Sequence, residues 1–185
     1  MGIISIIIIL LCICADNMVS ANMTAMNMGA DKRSVFSIKT ALFFAGFNVL
    51  LFAVGFFVSI IFFRSWVYTS HNWVAFAFLL LLGIKFMLES IEKSPSFKAG
   101  ETGDTRKMLK VSSLEAASAF LVGYAMEQMD TGFWGPVILL AVFTFGLTLL
   151  GFHLGNPESK SIVSKKIELV AGIILIIMAV KMIIV

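Results

Sequence analysis

Long apolar stretches separated by short polar segments dominate the chain. Six of them approach or exceed the roughly 20 residues that a helix needs to cross a hydrocarbon core about 30 Å thick. They are Ile3–Met28, Ile38–Phe63, Trp73–Ile91, Val111–Met129, Trp134–Leu154 and Lys165–Ile184. The pattern predicts an all-α membrane protein of six transmembrane helices. Residues 1–185 would form a single transmembrane domain, with no room for a soluble catalytic domain.

The first apolar stretch resembles a signal peptide in position but not in pattern. No Lys or Arg precedes Lys32, so the basic n-region of a leader is missing. The apolar run also continues past Asp16 to Met28. We therefore expect a true membrane span here rather than a cleaved leader.

Composition and charge agree with this prediction. The chain is 59% hydrophobic and 14% charged, whereas soluble domains carry about 25% charged residues. Most basic residues fall between predicted helices 1 and 2, 3 and 4, or 5 and 6, which share one side of the membrane. Because Lys and Arg mark cytoplasmic loops, the net charge of +3 indicates orientation rather than nucleic-acid binding, and both termini are predicted outside.

The second half of the chain repeats several residue types of the first half at nearly constant spacings. Three pairs are 96 positions apart: Asn48 and Thr144, Gly55 and Gly151, Lys85 and Lys181. The acids Asp16 and Glu115 are 99 positions apart, in helices 1 and 4. The repeats would cover about 1–92 and 109–185, joined by a cytoplasmic loop at about 93–108. Because each has three spans, the two repeats must be inverted, as in many secondary transporters.

Polar residues within the spans are the candidate functional groups. A charge in mid-span costs about 2.5–3.5 kcal/mol on insertion scales, so Asp16 and Glu115 suggest a function. Two carboxylates brought together would bind a cation, with Asn48, Thr144 and Asn17 as neutral oxygen ligands. The alternative is that each acid pairs with a lysine or hydrogen-bonds within the bundle, and that the neutral residues only link helices.

Other residues suggest structure rather than chemistry. Lys85 and Lys181 lie toward helix ends, where long side chains snorkel to the interface. Cys12 and Cys14 behave as small apolar side chains. No phosphate loop, nucleophile motif or paired zinc motif occurs. The chain is therefore not expected to be an enzyme or to hold a cofactor, and transport would use an ion gradient.

Four segments carry a resemblance to a known family. Residues 14–22 (CADNMVSAN), 71–90 (HNWVAFAFLLLLGIKFMLES), 113–126 (SLEAASAFLVGYAM) and 165–180 (KKIELVAGIILIIMAV) resemble helices 1, 3, 4 and 6 of bacterial manganese exporters of the MntP type. The resemblance covers nearly the whole chain. It implies a six-helix efflux protein of inverted repeats in the bacterial cytoplasmic membrane, related to the LysE-type exporter superfamily.

The resemblance also implies roles for particular residues. Asp16 and Glu115 stand where the family has essential aspartates, although Glu115 has a longer side chain. Asn48 stands where manganese exporters usually have a glutamate, which lowers the negative charge of the site by one.

Taken together, the residues and the resemblance predict a secondary transporter that exports a divalent cation, with Mn²⁺ as the leading candidate. Its partners would be the metal ion and the lipid bilayer but no nucleic acid, and assembly into a homo-oligomer is left open. The alternatives are an exporter of another cation or of a small amino-acid-like solute, or a non-transporting scaffold of the family's sporulation-associated branch.

Overall fold

All regular structure in the described part of the chain is helical. A computed structural model describes residues 3–26, 33–63, 71–91, 117–127, 132–155 and 162–184. The helices are α1 (Ile3–Met26), α2 (Arg33–Phe63), α3 (His71–Ile91), α4 (117–127), α5 (Trp134–Leu154) and α6 (Ile162–Ile184). A helix satisfies its own backbone hydrogen bonds, which lipid cannot do, so an apolar chain of this kind folds into helices. The all-α prediction is confirmed.

Four helices within the described ranges are long and apolar enough to cross a membrane. Their apolar spans are Ile3–Asn22, Phe36–Ile61, Trp73–Ile91 and Trp134–Leu154. The predicted fourth and sixth spans are helical in their described parts, α4 and α6. The predicted cytoplasmic loop at 93–108 lies outside the described residues, and the total of six spans stays a prediction.

Helix ends differ from the predicted spans at the polar margins. Helix α2 begins at Arg33 rather than Ile38, and α6 begins at Ile162 rather than Lys165. Hydropathy marks the part of a helix that lies in hydrocarbon, whereas the helix itself continues into the polar interface. Helix α5 has its predicted bounds and is followed by Gly155, whose backbone N–H donates to the carbonyl oxygen of Gly151 at 3.0 Å.

Helix α1 lies at the centre of the bundle. Half of its most apolar stretch is buried inside the protein, against 33% for α2 and α3 and 28% for α5. It packs mainly on α5 and also on α6, while α2 packs on α5 and α3 on α6. The core is apolar and includes Ile9, Leu10, Ile13, Phe52, Leu82, Phe86, Met126, Leu140 and Leu175.

The outer helices expose large apolar side chains to their surroundings. In α3 these recur every three or four residues over its second half, and α2, α5 and α6 carry similar sets. They include Leu42, Leu50, Phe57, Leu81, Ile84, Leu88, Ile138, Val142, Leu150, Val170 and Ile177. Such continuous apolar surface is what a lipid-facing surface requires.

Glycines allow the closest helix contacts. A Cβ added at Gly55 of α2 would collide with the carbonyl oxygen of Phe120 in α4, and one at Gly123 of α4 would collide with that of Phe52 in α2. In α5, a Cβ at Gly151 would collide with the carbonyl oxygen of Met18 in α1.

Helices α3 and α6 meet in the same way. A Cβ at Gly83 would lie 3.0 Å from the carbonyl oxygen of Gly172, and a Cβ at Gly172 would lie 2.9 Å from that of Gly83. Small residues therefore bring three pairs of helices into backbone contact, as is typical of membrane interfaces, where lipid gives no hydrophobic drive for association.

We predict that Gly55→Ala destabilises the protein. The added methyl would collide with backbone atoms of α4, and these can give way only if the whole helix shifts. Overpacking of this kind costs about 1–3 kcal/mol. The matched control is Gly46→Ala in the same helix, since a Cβ there meets no atom within 4 Å. Thermal melting of the purified protein in detergent measures both. Equal melting temperatures for the two variants would contradict the close α2–α4 contact.

Candidate functional site

The centre of α1 carries two adjacent buried polar residues, Asp16 and Asn17. They are 8% and 2% exposed. Successive residues on a helix point about 100° apart, so the two side chains face different neighbours. Asp16 reaches toward α3, and Asn17 reaches toward α2. One turn of α1 therefore supplies two distinct groups of polar contacts.

The first group, here called the charged cluster, consists of Asp16, Lys85, Ser118 and Glu89. The Lys85 Nζ lies 3.5 Å from Asp16 Oδ2 and 3.3 Å from Glu89 Oε1. It also donates a hydrogen bond to Ser118 Oγ at 3.1 Å. Helices α1, α3 and α4 thus meet at a single ammonium group.

The position of Lys85 corrects the snorkelling prediction for this residue. Its side chain is only about one-third exposed and contacts a carboxylate in the middle of α1. The prediction considered only how close Lys85 lies to the end of α3. Because a buried carboxylate without a partner is costly, pairing with Asp16 can be more favourable for the Lys85 ammonium than reaching the polar interface. For Asp16, the pairing with a lysine that was the alternative to a cation site is the observed arrangement.

The second group, here called the neutral cluster, consists of Asn17, Asn48, Cys14 and Thr144. Asn48 Nδ2 donates to Asn17 Oδ1 at 3.2 Å. Cys14 Sγ lies 3.3 Å from Thr144 Oγ1, and both residues are fully buried. Residues three apart on a helix share a face, which is why Cys14 and Asn17 both point into this cluster.

Asn48 has an acceptor oxygen that no described residue bonds. Its side chain is 2% exposed, and within the described ranges its Oδ1 has no hydrogen-bond partner. Leaving a buried carbonyl oxygen unpaired costs about 1–3 kcal/mol, and native proteins seldom accept that cost without a reason. Thr148 Oγ1, one turn beyond Thr144 in α5, is also buried and has no partner among the residues that the structure describes. Asn48 and Thr148 therefore each offer an oxygen atom that could bind a ligand.

Four of the five predicted site residues lie in these two clusters. Asp16 is in the charged cluster, and Asn17, Asn48 and Thr144 are in the neutral cluster. Glu115 lies outside the described residues. In the part of the chain that the structure describes, no group of three or more His, Cys, Asp or Glu side chains could hold a metal ion.

Sequence reasoning missed four residues of the site, namely Cys14, Lys85, Ser118 and Glu89. Cys14 was assigned to packing, although its position three residues before Asn17 on α1 could have indicated a shared face. Lys85 was assigned to the interface. Ser118 lay three residues after Glu115 and drew no attention, because a serine in an apolar helix is common. Nothing in the sequence alone indicated that Lys85 and Ser118 meet.

Chemically, the site offers hard oxygen donors. A carboxylate, amide carbonyls and hydroxyls are the donor types that Mg²⁺, Ca²⁺ and Mn²⁺ prefer. The Cys14 sulfur adds one softer donor within the neutral cluster. The arrangement suits binding of a cation, and the Lys85 ammonium already contacts two of these oxygen donors, the Asp16 carboxylate and the Ser118 hydroxyl.

Comparison with known proteins gives a consistent family. The profile of the family described as "Putative manganese efflux pump" matches residues 31–183. The "Putative manganese efflux pump MntP" of Crocosphaera subtropica is 28% identical over 148 residues, covering 80% of this chain and 78% of that protein. The protein of the same name in Campylobacter jejuni is 28% identical over 143 residues, covering 77% and 75%.

A third relative is archaeal. The "Putative manganese efflux pump MntP" of Methanothermobacter thermautotrophicus is 32% identical over 112 residues, covering 59% of this chain and 57% of that protein. No solved structure matches the chain. The family match spans most of the sequence and agrees with the apolar helices of an integral membrane protein, so the resemblance found in the sequence is confirmed. The chain belongs to the family described as putative manganese efflux pumps.

Proposed function

We propose that this chain exports a divalent cation across the cytoplasmic membrane, with Mn²⁺ as its physiological cargo. The observation that carries the proposal is the buried Oδ1 of Asn48, which no described residue bonds and which lies in the side chain that contacts Asn17, with Asp16 next to Asn17 in α1. A buried carbonyl oxygen of this kind can coordinate a cation, which would compensate the cost of burying it. Membership of a manganese efflux family supports the choice of metal.

In this proposal the ligands come from both clusters. Asp16 supplies a carboxylate, and Asn17, Asn48 and Thr144 supply neutral oxygens. Glu115 would supply a second carboxylate from the start of helix 4. Mn²⁺ accepts such a mixed oxygen set, and the neutral Asn48 would lower affinity without removing a ligand. Weak binding suits a transporter, which must release its cargo.

The contacts of two glycines support an inverted-repeat architecture. Gly55 of α2 packs on α4 at Phe120, and Gly151 of α5 packs on α1 at Met18. The two glycines are 96 positions apart, and their contact partners are 102 apart. Each repeat would thus place its second helix against the first helix of the other repeat. Alternating access would then arise from one three-helix unit rocking against the other.

The same contacts suggest a new pairing for Asp16. An offset of 102 between α1 and α4 makes Ser118 its counterpart, whereas the sequence paired it with Glu115 at an offset of 99. Glu115, outside the described residues, comes three positions earlier in the sequence and would lie close to one helical turn away in a continuous helix. We therefore propose that the carboxylates enter the site from different levels of the membrane.

A second function is favoured by one specific observation. The ion pair between Asp16 and Lys85 is what a non-transporting scaffold would need to bury an acid. In that case the cluster would hold helices together and bind no cargo. Export of another cation or of a small amino-acid-like solute is the third alternative, because a charged cluster with both signs also fits a zwitterion.

We predict that Asp16→Ala abolishes manganese tolerance. The test is growth on Mn²⁺ of bacteria that lack their own manganese exporter and carry this gene. The wild-type chain should restore growth, and the variant should not, because it loses the charged ligand. Glu127→Gln is the matched control, since this acid bonds Ser59 in another part of the bundle. Full rescue by Asp16→Ala would show that Asp16 is not an essential ligand.

We predict that Asn48→Asp tightens Mn²⁺ binding by about tenfold, because an added carboxylate raises the ligand charge. Asn22→Asp is the control, as it adds an acid to α1 outside both clusters. The measurement is the metal-dependent thermal shift of purified protein with Mn²⁺, Fe²⁺, Zn²⁺, Cd²⁺ and Ca²⁺. If no ion shifts the wild type or Asn48→Asp, the scaffold or solute alternatives are favoured.

We also predict that both ends of this chain lie outside the cytoplasm. Alkaline phosphatase fused after Val185 should be active, and green fluorescent protein at the same position should be dark. The same reporters inserted near position 100 should give the reverse result, because that segment is predicted cytoplasmic. Fluorescence at the C-terminal position would overturn the orientation.

A further inference from the structure

The ammonium of Lys85 lies where three helices converge, in a cage of oxygen atoms. Its neighbours are a carboxylate oxygen of Asp16, the hydroxyl of Ser118 and a carboxylate oxygen of Glu89, at 3.5, 3.1 and 3.3 Å. These are the atom types that would surround a bound metal ion. The protein thus places one of its own cations on the acid that is proposed to bind cargo.

We infer that Lys85 is a tethered competitor of the cargo: it contacts both Asp16 and Glu89 when the transporter is empty, and it releases Asp16 while keeping Glu89 when a divalent cation binds. This inference rests on the proposed function. A metal ion and an ammonium cannot both sit against one carboxylate without strong repulsion. Binding of the cargo therefore requires Lys85 to withdraw.

The surroundings of Lys85 allow that withdrawal. Glu89 lies one turn further along α3, and its side chain is 39% exposed, whereas that of Asp16 is 10% exposed. The four methylenes of the lysine give its ammonium a wide reach. The ring of Phe86, with its centroid 5.4 Å from Nζ, lies beside the ammonium as well. Lys85 can lose Asp16 and still keep an acidic partner in a wetter place.

Such a competitor would serve the empty transporter. After release of cargo, Asp16 would be a buried, unpaired carboxylate, which is costly within a membrane. Lys85 neutralises it from inside the protein, so the empty form can return without another ion on Asp16. It also sets a threshold, because only a cation that binds Asp16 more strongly than an ammonium can displace it. Divalent ions meet that threshold more easily than monovalent ones.

Lys181 provides a matched control. It is also a lysine in an apolar helix, and it lies 96 positions after Lys85. Its Nζ donates to Ser5 Oγ at 3.3 Å, near the start of α1 and three turns from Asp16. Its removal should leave the charged cluster intact.

The test is Mn²⁺ affinity by calorimetry on the full chain in detergent, for wild type, Lys85→Gln, Lys85→Arg and Lys181→Gln. Removing the competitor should tighten binding by about tenfold or more, in the usual range for coupling between two ligands. Arginine stays charged and can bond a carboxylate through two N–H groups, so Lys85→Arg should weaken Mn²⁺ binding by about tenfold. Lys181→Gln should stay within about twofold of wild type. A purely structural role for Lys85 would predict weaker binding in both variants at this position.

The outcomes separate the two proposals. If wild type binds Mn²⁺ and Lys85→Gln binds no more tightly, Lys85 is no competitor, and the proposed export function stands. If neither wild type nor any variant binds a divalent cation, both proposals fail. If Lys85→Gln does not fold, Lys85→Arg decides together with its melting temperature in the absence of metal. Weaker Mn²⁺ binding at an unchanged or higher melting temperature would support the inference. Binding as tight as wild type, or weaker binding with a lower melting temperature, would overturn it.

Discussion

A carboxylate in the middle of a buried membrane helix has to be neutralised from within the protein, and the arrangement around α1 follows from that requirement. Asp16 lies 13 residues after Ile3, the first residue of α1, too far along the span to reach water by snorkelling. Its neutralising partner, Lys85, comes from α3, and the same ammonium is bonded to Ser118 of α4. Three helices are thereby fixed around one ion pair.

Close helix packing makes that ion pair attainable. Lipid offers no hydrophobic drive for helices to associate, so they must gain energy from contact between themselves. Gly55 and Gly123 bring α2 and α4 together, and Gly151 brings α5 onto α1. The latter contact lies within one turn of Asn17 and Asp16, and it sets Thr144 beside Cys14. The glycines thus determine how closely polar side chains of different helices can approach.

Much of this could be predicted from the sequence, and the parts that could not share a cause. The helices follow from apolar length, and Asp16 and Asn48 stand out because polar groups are rare in such spans. Thr144 followed from its spacing of 96 from Asn48. The partner of Lys85 could not be predicted, since whether a lysine turns to the interface or to an acid depends on the rotation of α3 against α1. The contact between Gly83 and Gly172 fixes α3 against α6, which itself packs on α1, and it leaves no periodic signal in an apolar helix.

The register of the proposed repeats was similarly difficult to predict. Between α2 and α5, Gly55 and Gly151 would mark equivalent positions, so their offset can be taken directly from the sequence. Between α1 and α4, the sequence offered only Asp16 and Glu115 as a pair to align. Pairing them assumes that two acids with a shared function stand at equivalent positions of the two helices. Backbone contacts need no such assumption. Gly55 contacts Phe120 and Gly151 contacts Met18, so the pairing of the two glycines also pairs Phe120 with Met18. Where side-chain chemistry and backbone packing disagree about register, packing is the sounder guide, since a helix cannot shift by three residues without breaking its closest contact.

The neutral residue Asn48 and the internal cation Lys85 then have a common explanation. With Lys85 on Asp16, the central acid is already compensated, and an acid at position 48 would add a second buried charge that the described part of the bundle would have to balance. An amide avoids that cost while keeping a carbonyl oxygen for a ligand. In the proposed function, the negative charge that a divalent cation needs is not supplied at position 48 but becomes available on Asp16 when Lys85 leaves. Under this proposal, an amide at position 48 and a lysine paired with Asp16 both lower the cost of keeping a cation site in lipid.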